Sequence, residues 1–217
     1  VGKTTAKDFL RALLKDHPDP VFASPGSWNS EIGLPLSVLS APPGTRTLVL
    51  EYGINAPGEM ERLVATAPPD CAWVTAIGEA HLEGLQDLAG VGREKAFLPG
   101  AVSSGGKIWF GPDVDKACRG DWSTPPRALN PWDGTGGPQG EPGSWRVPGF
   151  FSDSVHLPLQ AAHEAVLAWS AATIAVELGV DPARVDDRMR TLVSPPGRMS
   201  VHELKGGVRV LDDSYNS

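Results

Sequence analysis

Short apolar runs alternate with helical patterns along most of this chain. The clearest runs lie at 46–53 (RTLVLEYG) and 70–78 (DCAWVTAIG), and each is followed by a segment with apolar residues at helical spacing. Strands separated by helices in this way pair mainly in parallel, with helices on both faces of the sheet. We therefore predict an α/β fold with a mainly parallel sheet, whose ligands bind at the carboxyl ends of the strands.

Two further regions shape the domain organisation. Residues 119–149 are rich in Pro, Gly and Trp, which predicts a long irregular insertion. The apolar helix that follows ends at Gly179, a plausible C-cap, and the next helix is opened by Asp181 as N-cap with Pro182 at its first position. The insertion apart, the pattern predicts one domain over residues 1–217.

Composition narrows the class of protein. The chain has 217 residues and a net charge of −7, so no broad basic surface suggests a nucleic-acid partner. No apolar run approaches the length that spans a membrane. The two cysteines do not form a disulfide framework, which favours a reduced cytoplasm, and Cys71 is predicted to be buried in its apolar run.

The first residues match the second half of a phosphate-binding loop. Gly2, Lys3 and Thr4 precede an amphipathic segment, TTAKDFLRALLKDH, as the end of such a loop precedes its helix. Backbone N–H groups and the helix dipole favour phosphate at that point. We expect a chain cut inside its own nucleotide site, although a Lys-Thr helix start is the alternative on these residues alone.

Three other residues are candidates for chemistry. Glu51 ends the strongest strand and is a candidate metal ligand, with a solvated strand-end carboxylate as the alternative. His81 follows the next strand, where a loop histidine bonded to backbone is the alternative. Lys95 lies on the following helix, where an ordinary surface lysine is the default, and Arg93 and Glu94 fit a solvated face.

Taken in order, several stretches resemble the central ATP-binding domain of the Mur ligases. They are GKTT, SWNSEIGLPLSVL, VLEYGINAPGEM, IGEAHLEGLQDLAGVGREKAFL, PPGRM and LDDSYNS. The resemblance covers the chain except 119–149, and it is strongest to the branch that adds a D-alanyl-D-alanine dipeptide. It implies a P-loop NTPase-like domain, with a UDP-binding N-terminal domain and a C-terminal domain outside this chain. We expect the chain alone to be inactive.

The resemblance also implies roles for residues at matching positions. The implied ATP-binding residues are Gly2, Lys3, Thr4, Thr5, Arg198 and Asp213. The implied metal ligands are Thr4, Glu51, His81 and Lys95, the last as a carbamate formed with CO₂. The implied catalytic residues are Lys3, His81 and Lys95. The residues that approach the muramoyl-peptide substrate would be Asn29 and Ser30.

The implied reaction is ATP-dependent amide formation in peptidoglycan precursor synthesis. The implied cofactors are ATP and two Mg²⁺ ions, the substrates UDP-MurNAc-peptide and D-Ala-D-Ala, and the enzyme a monomer. Glu164 and Leu167 stand where the family carries two asparagines that hold the adenine. The alternatives are another Mur-type ligase, resembling folylpolyglutamate or cyanophycin synthetase, and a catalytically silent homologue that acts as a binding module.

Overall fold

The computed structural model describes residues 2–77, 87–112, 114, 125–129 and 137–216. The chain divides into two compact units. The first unit comprises Val1–Thr4 and Asp19–Asn130, and the second comprises Thr5–Pro18 and Pro131–Ser217. Helix α1, Lys3–Leu13, carries residues of both units.

The first unit contains parallel strands and helices. Its strands are β1 Val21–Ala23, β2 Thr47–Val49, β3 Cys71–Val74, β4 Lys107–Phe110 and β5 Arg127–Ala128. Its helices are α2 Gly33–Leu39, α3 Glu59–Thr66 and α4 Leu88–Gly100. Strand β1 pairs in parallel with β2, and β4 lies between β3 and β5, parallel to both. The predicted α/β fold with parallel strands is confirmed.

An apolar cluster joins the helices and strands of the first unit. Burial of these side chains is the main force that holds parallel strands between helices. The buried members are Leu34, Ile54, Met60, Leu63, Ala72, Val74, Val91, Leu98, Val102, Ile108, Phe110 and Val114. The strand ends that carry Glu51 and Ala76 are therefore held by a packed core, since Leu50 and Ile77 pack against the same cluster.

The second unit contains antiparallel strands and two further helices. Its strands are β6 Gln139–Glu141, β7 Ser144–Pro148, β8 Ser154–Leu157, β9 Ser200–Glu203 and β10 Arg209–Asp212. Its helices are α5 Ala162–Glu177 and α6 Pro182–Met189, with 3₁₀ turns at Leu14–Asp16 and Ser214–Asn216. Strands β6, β7 and β8 form one sheet, and β9 pairs with β10.

Strands occur where the sequence predicted an irregular insertion. Strands β5, β6 and β7 lie within 119–149, and β7 is stabilised by its pairing with β8, in which Val147 faces Val155. Both of these valines are buried. Gly143, at φ +89°, supplies the left-handed conformation that a tight turn between β6 and β7 requires. A high glycine content therefore marked hairpin turns here as well as loops.

The predicted caps of α5 and α6 are present. Gly179 has φ +103° and follows the last turn of α5. The Asp181 carboxylate accepts hydrogen bonds from the N–H groups of Ala183, at 2.9 Å, and Arg184, at 3.2 Å. Pro182 occupies the first turn of α6, where no N–H is needed.

Asp186 on α6 holds the turn between β7 and β8. One carboxylate oxygen accepts from Phe150 N at 2.8 Å, and the other accepts from Phe151 N at 3.1 Å and from Ser152 N at 2.8 Å. The Ser152 hydroxyl donates to the same oxygen at 2.7 Å. Burial raises the pKa of Asp186, but these hydrogen bonds outweigh it, and the pKa is lowered.

The prediction that Cys71 is buried was wrong. Cys71 is exposed, because it is the first residue of β3 and its side chain points away from the core that Ala72 and Val74 enter. Pro35 lies in the first turn of α2, where a proline costs no hydrogen bond. The described residues contain no helix long and apolar enough to cross a bilayer.

Candidate functional site

The half-loop at the start of the chain has the geometry that its sequence predicted. Gly2 has φ +72°, a left-handed conformation that suits glycine, and α1 begins at the next residue. Lys3 is half-buried, and Thr4 and Thr5 are buried in the first turn of the helix. The backbone therefore changes from a glycine turn to a helix at the place where a phosphate-binding loop does so.

Glu51 lies two residues beyond the end of β2 and is only 4 % exposed. Its Oε1 accepts hydrogen bonds from the Thr4 hydroxyl at 3.1 Å and from Asn29 Nδ2 at 2.7 Å. Its Oε2 is buried and has no hydrogen-bond partner among the described residues. A buried carboxylate oxygen without a partner is costly, so this atom calls for a partner beyond the described residues.

Backbone contacts hold Asn29 against the end of β2. The Asn29 carbonyl accepts a hydrogen bond from Gly53 N at 2.7 Å. A Cβ at Gly53 would lie 2.6 Å from Asn29 Cγ, so only glycine allows the two segments to approach so closely. The glycine therefore keeps the Asn29 amide within reach of Glu51.

Ser30, the other predicted substrate contact, bonds to the start of α2. Its hydroxyl accepts a hydrogen bond from Gly33 N at 3.2 Å, and its carbonyl accepts one from Leu34 N at 2.8 Å. Side-chain oxygens commonly satisfy the first N–H groups of a helix in this way. Ser30 thereby positions the segment that carries Asn29.

Lys95 extends from α4 to the end of β3. Its Nζ donates to the carbonyl of Ala76 at 2.9 Å, and Ala76 lies two residues beyond the last residue of β3. The side chain is partly buried, so it is not the freely solvated surface lysine of the default interpretation. Parallel strands place their carboxyl ends on one edge of a sheet, which is where ligands bind in such folds.

Glu94 was predicted to lie on a solvated face, and this was wrong. It is 6 % exposed, and its Oε1 accepts a hydrogen bond from the N–H of Met60 at 2.8 Å, in the first turn of α3. Its proximity to a helix N-terminus explains why a carboxylate is tolerated there. Burial of a charged residue on an apolar helix face is a tertiary effect, and no local sequence signal marks it.

His81 lies outside the described residues. Within the described ranges, no three His, Cys, Asp or Glu side chains are grouped so that they could hold a metal ion. The Thr4 hydroxyl and the open Glu51 Oε2 are nevertheless oxygen donors, and hard oxygen donors are those that Mg²⁺ prefers. The residues present at Glu51 fit a magnesium ion.

Arg198 and Asp213 belong to the second unit and lie on adjoining turns at one end of the β9–β10 hairpin. The Asp213 Oδ1 accepts a hydrogen bond from Met199 N at 3.2 Å. The guanidinium carbon of Arg198 lies 3.7 Å from the centre of the Tyr215 ring. The structure therefore brings together two residues with predicted nucleotide contacts, together with a tyrosine that sequence reasoning did not select.

Glu164, which was expected at the place of an adenine-binding asparagine, has a structural role. It is 1 % exposed, and its Oε2 accepts hydrogen bonds from Gln160 N and Ala161 N, each at 3.3 Å, at the start of α5. Burial raises the pKa of Glu164, and the Ser194 hydroxyl and the two N–H groups offset this only in part. Glu164 therefore caps its own helix.

Parallel strands, a glycine turn that opens α1 and a carboxylate bonded to the first turn of that helix define an α/β domain of the P-loop class. The family model described as the Mur ligase middle domain matches residues 1–116. The chain belongs to the Mur ligase family.

A curated relative aligns with the whole of this chain. The UDP-N-acetylmuramoyl-tripeptide–D-alanyl-D-alanine ligase of Bacillus subtilis (strain 168) is 29 % identical over 220 residues, which covers 100 % of this chain and 48 % of the relative. The chain thus spans about half the length of the curated relatives that it matches.

Two solved structures have the same fold over the whole chain. MurF from Acinetobacter baumannii superposes with a TM-score of 0.84 at 24 % identity, covering 100 % of this chain and 49 % of that one. MurF ligase from Thermotoga maritima, solved in complex with ADP, superposes with a TM-score of 0.78 at 28 % identity, covering 100 % of this chain and 52 % of that one. The predicted family and fold are confirmed.

Proposed function

We propose that the protein containing this chain is an ATP-dependent amide ligase of peptidoglycan precursor synthesis, which joins D-Ala-D-Ala to a UDP-MurNAc-peptide. The observation that carries the proposal is Glu51, whose Oε1 bonds to Thr4 and Asn29 and whose buried Oε2 is left without a partner among the described residues. The ligase name carried by the relatives that align with the whole chain supports the same reaction.

The reaction has two steps. The peptide carboxylate attacks the γ-phosphorus of ATP, and the bond from that phosphorus to the β–γ bridging oxygen breaks. The products of this step are an acyl phosphate and ADP. The amine of the dipeptide then attacks the acyl carbon, loses a proton and expels phosphate, which forms the amide. The first step brings two anions together, so catalysis depends chiefly on positioning and on positive charge.

The half-loop supplies part of that charge. Lys3 would contact the transferring phosphate, while Thr5 and the backbone N–H groups at the start of α1 would hold the neighbouring phosphates. Gly2, at φ +72°, allows the backbone to approach closely. In the second unit, Arg198 would contact the nucleotide phosphates and Asp213 the ribose hydroxyls.

Magnesium fits the acidic end of β2. Thr4 would hold one Mg²⁺, and Glu51 and His81 a second, with Lys95 as a carbamate that offers a further oxygen donor. Bound Mg²⁺ neutralises charge on the phosphates. A carbamylated lysine keeps one hydrogen on Nζ, so the bond from Lys95 to the Ala76 carbonyl, 2.9 Å in this structure, is compatible with the modification.

The substrate contacts, the oligomeric state and the cellular location of the protein are also part of the proposal. Asn29 and Ser30 would lie beside the muramoyl peptide, while Asn29 also orients Glu51. The protein would act as a monomer in the cytoplasm, and residues 1–217 would form its central ATP-binding domain.

The experiment is isothermal titration of ATP and of a non-hydrolysable analogue into the complete gene product, with and without Mg²⁺. Binding that requires Mg²⁺ and that Lys3→Ala abolishes supports a working nucleotide site, and assay of dipeptide ligation then tests the reaction. A folded protein that binds neither nucleotide contradicts the proposal and favours a silent homologue, in which Glu164 only caps its helix. A mass gain of one CO₂ that Lys95→Arg removes would establish the carbamate.

A further inference from the structure

Two turns meet beside the β9–β10 hairpin. Ser200, the first residue of β9, pairs with Asp212, the last residue of β10. Antiparallel pairing therefore places the turn that precedes β9, residues 195–199, beside the turn that follows β10, residues 213–216. The first turn carries Arg198 and the second carries Asp213 and Tyr215.

Backbone and side-chain bonds fix these turns to each other. Tyr215 N donates to the carbonyl of Gly197 at 2.9 Å, and Met199 N donates to the Asp213 carboxylate at 3.2 Å. Because Gly197 is the neighbour of Arg198 in the chain, the bond from Tyr215 N holds the backbone of Tyr215 close to Arg198. Gly197, at φ +69°, adopts the left-handed conformation that lets its turn approach Tyr215.

The Arg198 guanidinium lies over the face of the Tyr215 ring. The distance of 3.7 Å from its central carbon to the ring centroid is that of a close cation–π contact. Stacking uses the flat face of a guanidinium and leaves its N–H bonds in the plane, where they can meet the oxygens of an anion two at a time.

We propose that Tyr215 is a positioning residue that holds the Arg198 guanidinium ready for the phosphates of the bound nucleotide. This inference rests on the proposed function, which gives Arg198 its phosphate contact. The aromatic ring carries the effect and the hydroxyl does not, since the ring face is what Arg198 contacts. Holding a long side chain in place before binding reduces the entropy lost on binding.

The test is a double-mutant cycle on the affinity of the complete gene product for the non-hydrolysable ATP analogue with Mg²⁺, measured by isothermal titration. Tyr215→Leu should weaken binding about two- to fivefold, the range expected for a cation–π contact at an exposed site. Tyr215→Phe, which keeps the ring, should restore the wild-type affinity. In an Arg198→Ala background, Tyr215→Leu should have no further effect.

Each alternative outcome has a distinct meaning. If Tyr215→Leu weakens binding equally in the Arg198→Ala background, the ring acts on the fold and the inference is wrong. If Arg198→Ala weakens binding but Tyr215→Leu does not, the inference is wrong while the proposed function stands. If Arg198→Ala itself has no effect in a protein that binds the nucleotide, the phosphate contact of Arg198 is wrong, and the inference fails with it. Tyr215 is 49 % exposed, so its replacement should not prevent folding.

Discussion

The side-chain amide of Asn29 lies 2.7 Å from Oε1 of Glu51, and this bond determines which oxygen of Glu51 stays open. Thr4 bonds to the same Oε1, so both protein donors meet one atom and leave Oε2 for another ligand. Asn29 thus acts on the proposed metal through Glu51, in the way that outer-shell partners orient metal ligands.

Replacement of Asn29 should weaken metal binding. We expect Asn29→Ala to lower the affinity for Mn²⁺, used as a Mg²⁺ probe, by about 10- to 100-fold, as is typical when the partner of a metal ligand is removed. The measurement is the paramagnetic resonance signal of free Mn²⁺ during titration of the protein with nucleotide. The exposed Asn55 is a matched control from the same unit, and Asn55→Ala should leave the titration unchanged. Equal titrations for both variants would show that Asn29 does not orient the ligand.

A methyl group at Gly53 should separate the same two segments. Gly53→Ala places a Cβ 2.6 Å from Asn29 Cγ, so the Asn29 side chain must move away from Glu51. We expect a loss of about 1–3 kcal/mol in the free energy of unfolding, the usual cost of overpacking, measured by urea denaturation. A Cβ at Gly137 would meet no described atom within 4 Å, so Gly137→Ala should change stability by less than about 0.5 kcal/mol. Similar values for both would contradict the close approach.

Loss of the charge on Asp186 should destabilise the second unit at neutral pH. Asp186→Asn puts an N–H₂ group where donors from Phe150 to Ser152 now converge, and we expect a cost of about 1–3 kcal/mol, measured by denaturation. The control is the exposed neighbour Asp187, whose pair with Arg190 should contribute little.

The pH dependence of Asp186 has a definite sign. Because folding lowers its pKa, its contribution is complete above the pKa of the unfolded chain and is lost as the pH falls through the folded value. The stability difference between wild type and Asp186→Asn should therefore shrink as the solution is acidified. A difference that stays constant with pH would contradict this.

Glu164 should show the opposite pH dependence. Burial raises its pKa above the ordinary value of 4.5, so the folded chain holds this proton more tightly, and stability falls as the pH rises through the interval above 4.5. Glu164→Gln keeps an acceptor for Ala161 N and carries no charge. The free energy of unfolding of the Glu164→Gln variant, relative to that of the wild type, should therefore rise with pH over that interval. A relative stability that falls with pH would show that the buried carboxylate is stabilised as an anion.

Much of the fold was predictable because its signals are local. The caps at Gly179 and Asp181 and the apolar runs of β2 and β3 act within a few residues, so composition and spacing indicate them directly. The half-loop was predictable for the same reason, since its glycine, lysine and threonine are consecutive.

Long-range features were not predictable in this way. Asp186 and Phe150 are 36 positions apart, and nothing near either residue marks the contact. Glu94 is buried and accepts a hydrogen bond from Met60, which is 34 positions away. Glu51 was selected as a metal ligand from its place at a strand end, but only the folded structure distinguishes the oxygen that Asn29 occupies from the one left open. Tyr215 was overlooked because its ring acquires significance only from Arg198 across the hairpin.

In the turn between β7 and β8, exposure of a side chain to solvent and rapid exchange of the backbone amides, which usually occur together, are separated. The Phe151 side chain is 78 % exposed, yet the amides of residues 150–152 all donate to Asp186 on α6. In hydrogen–deuterium exchange these three consecutive amides should exchange slowly, at a rate governed by opening of the contact with α6 and not by solvent contact of the side chain. A surface turn would thus report on the local unfolding of a helix that follows it by some thirty residues.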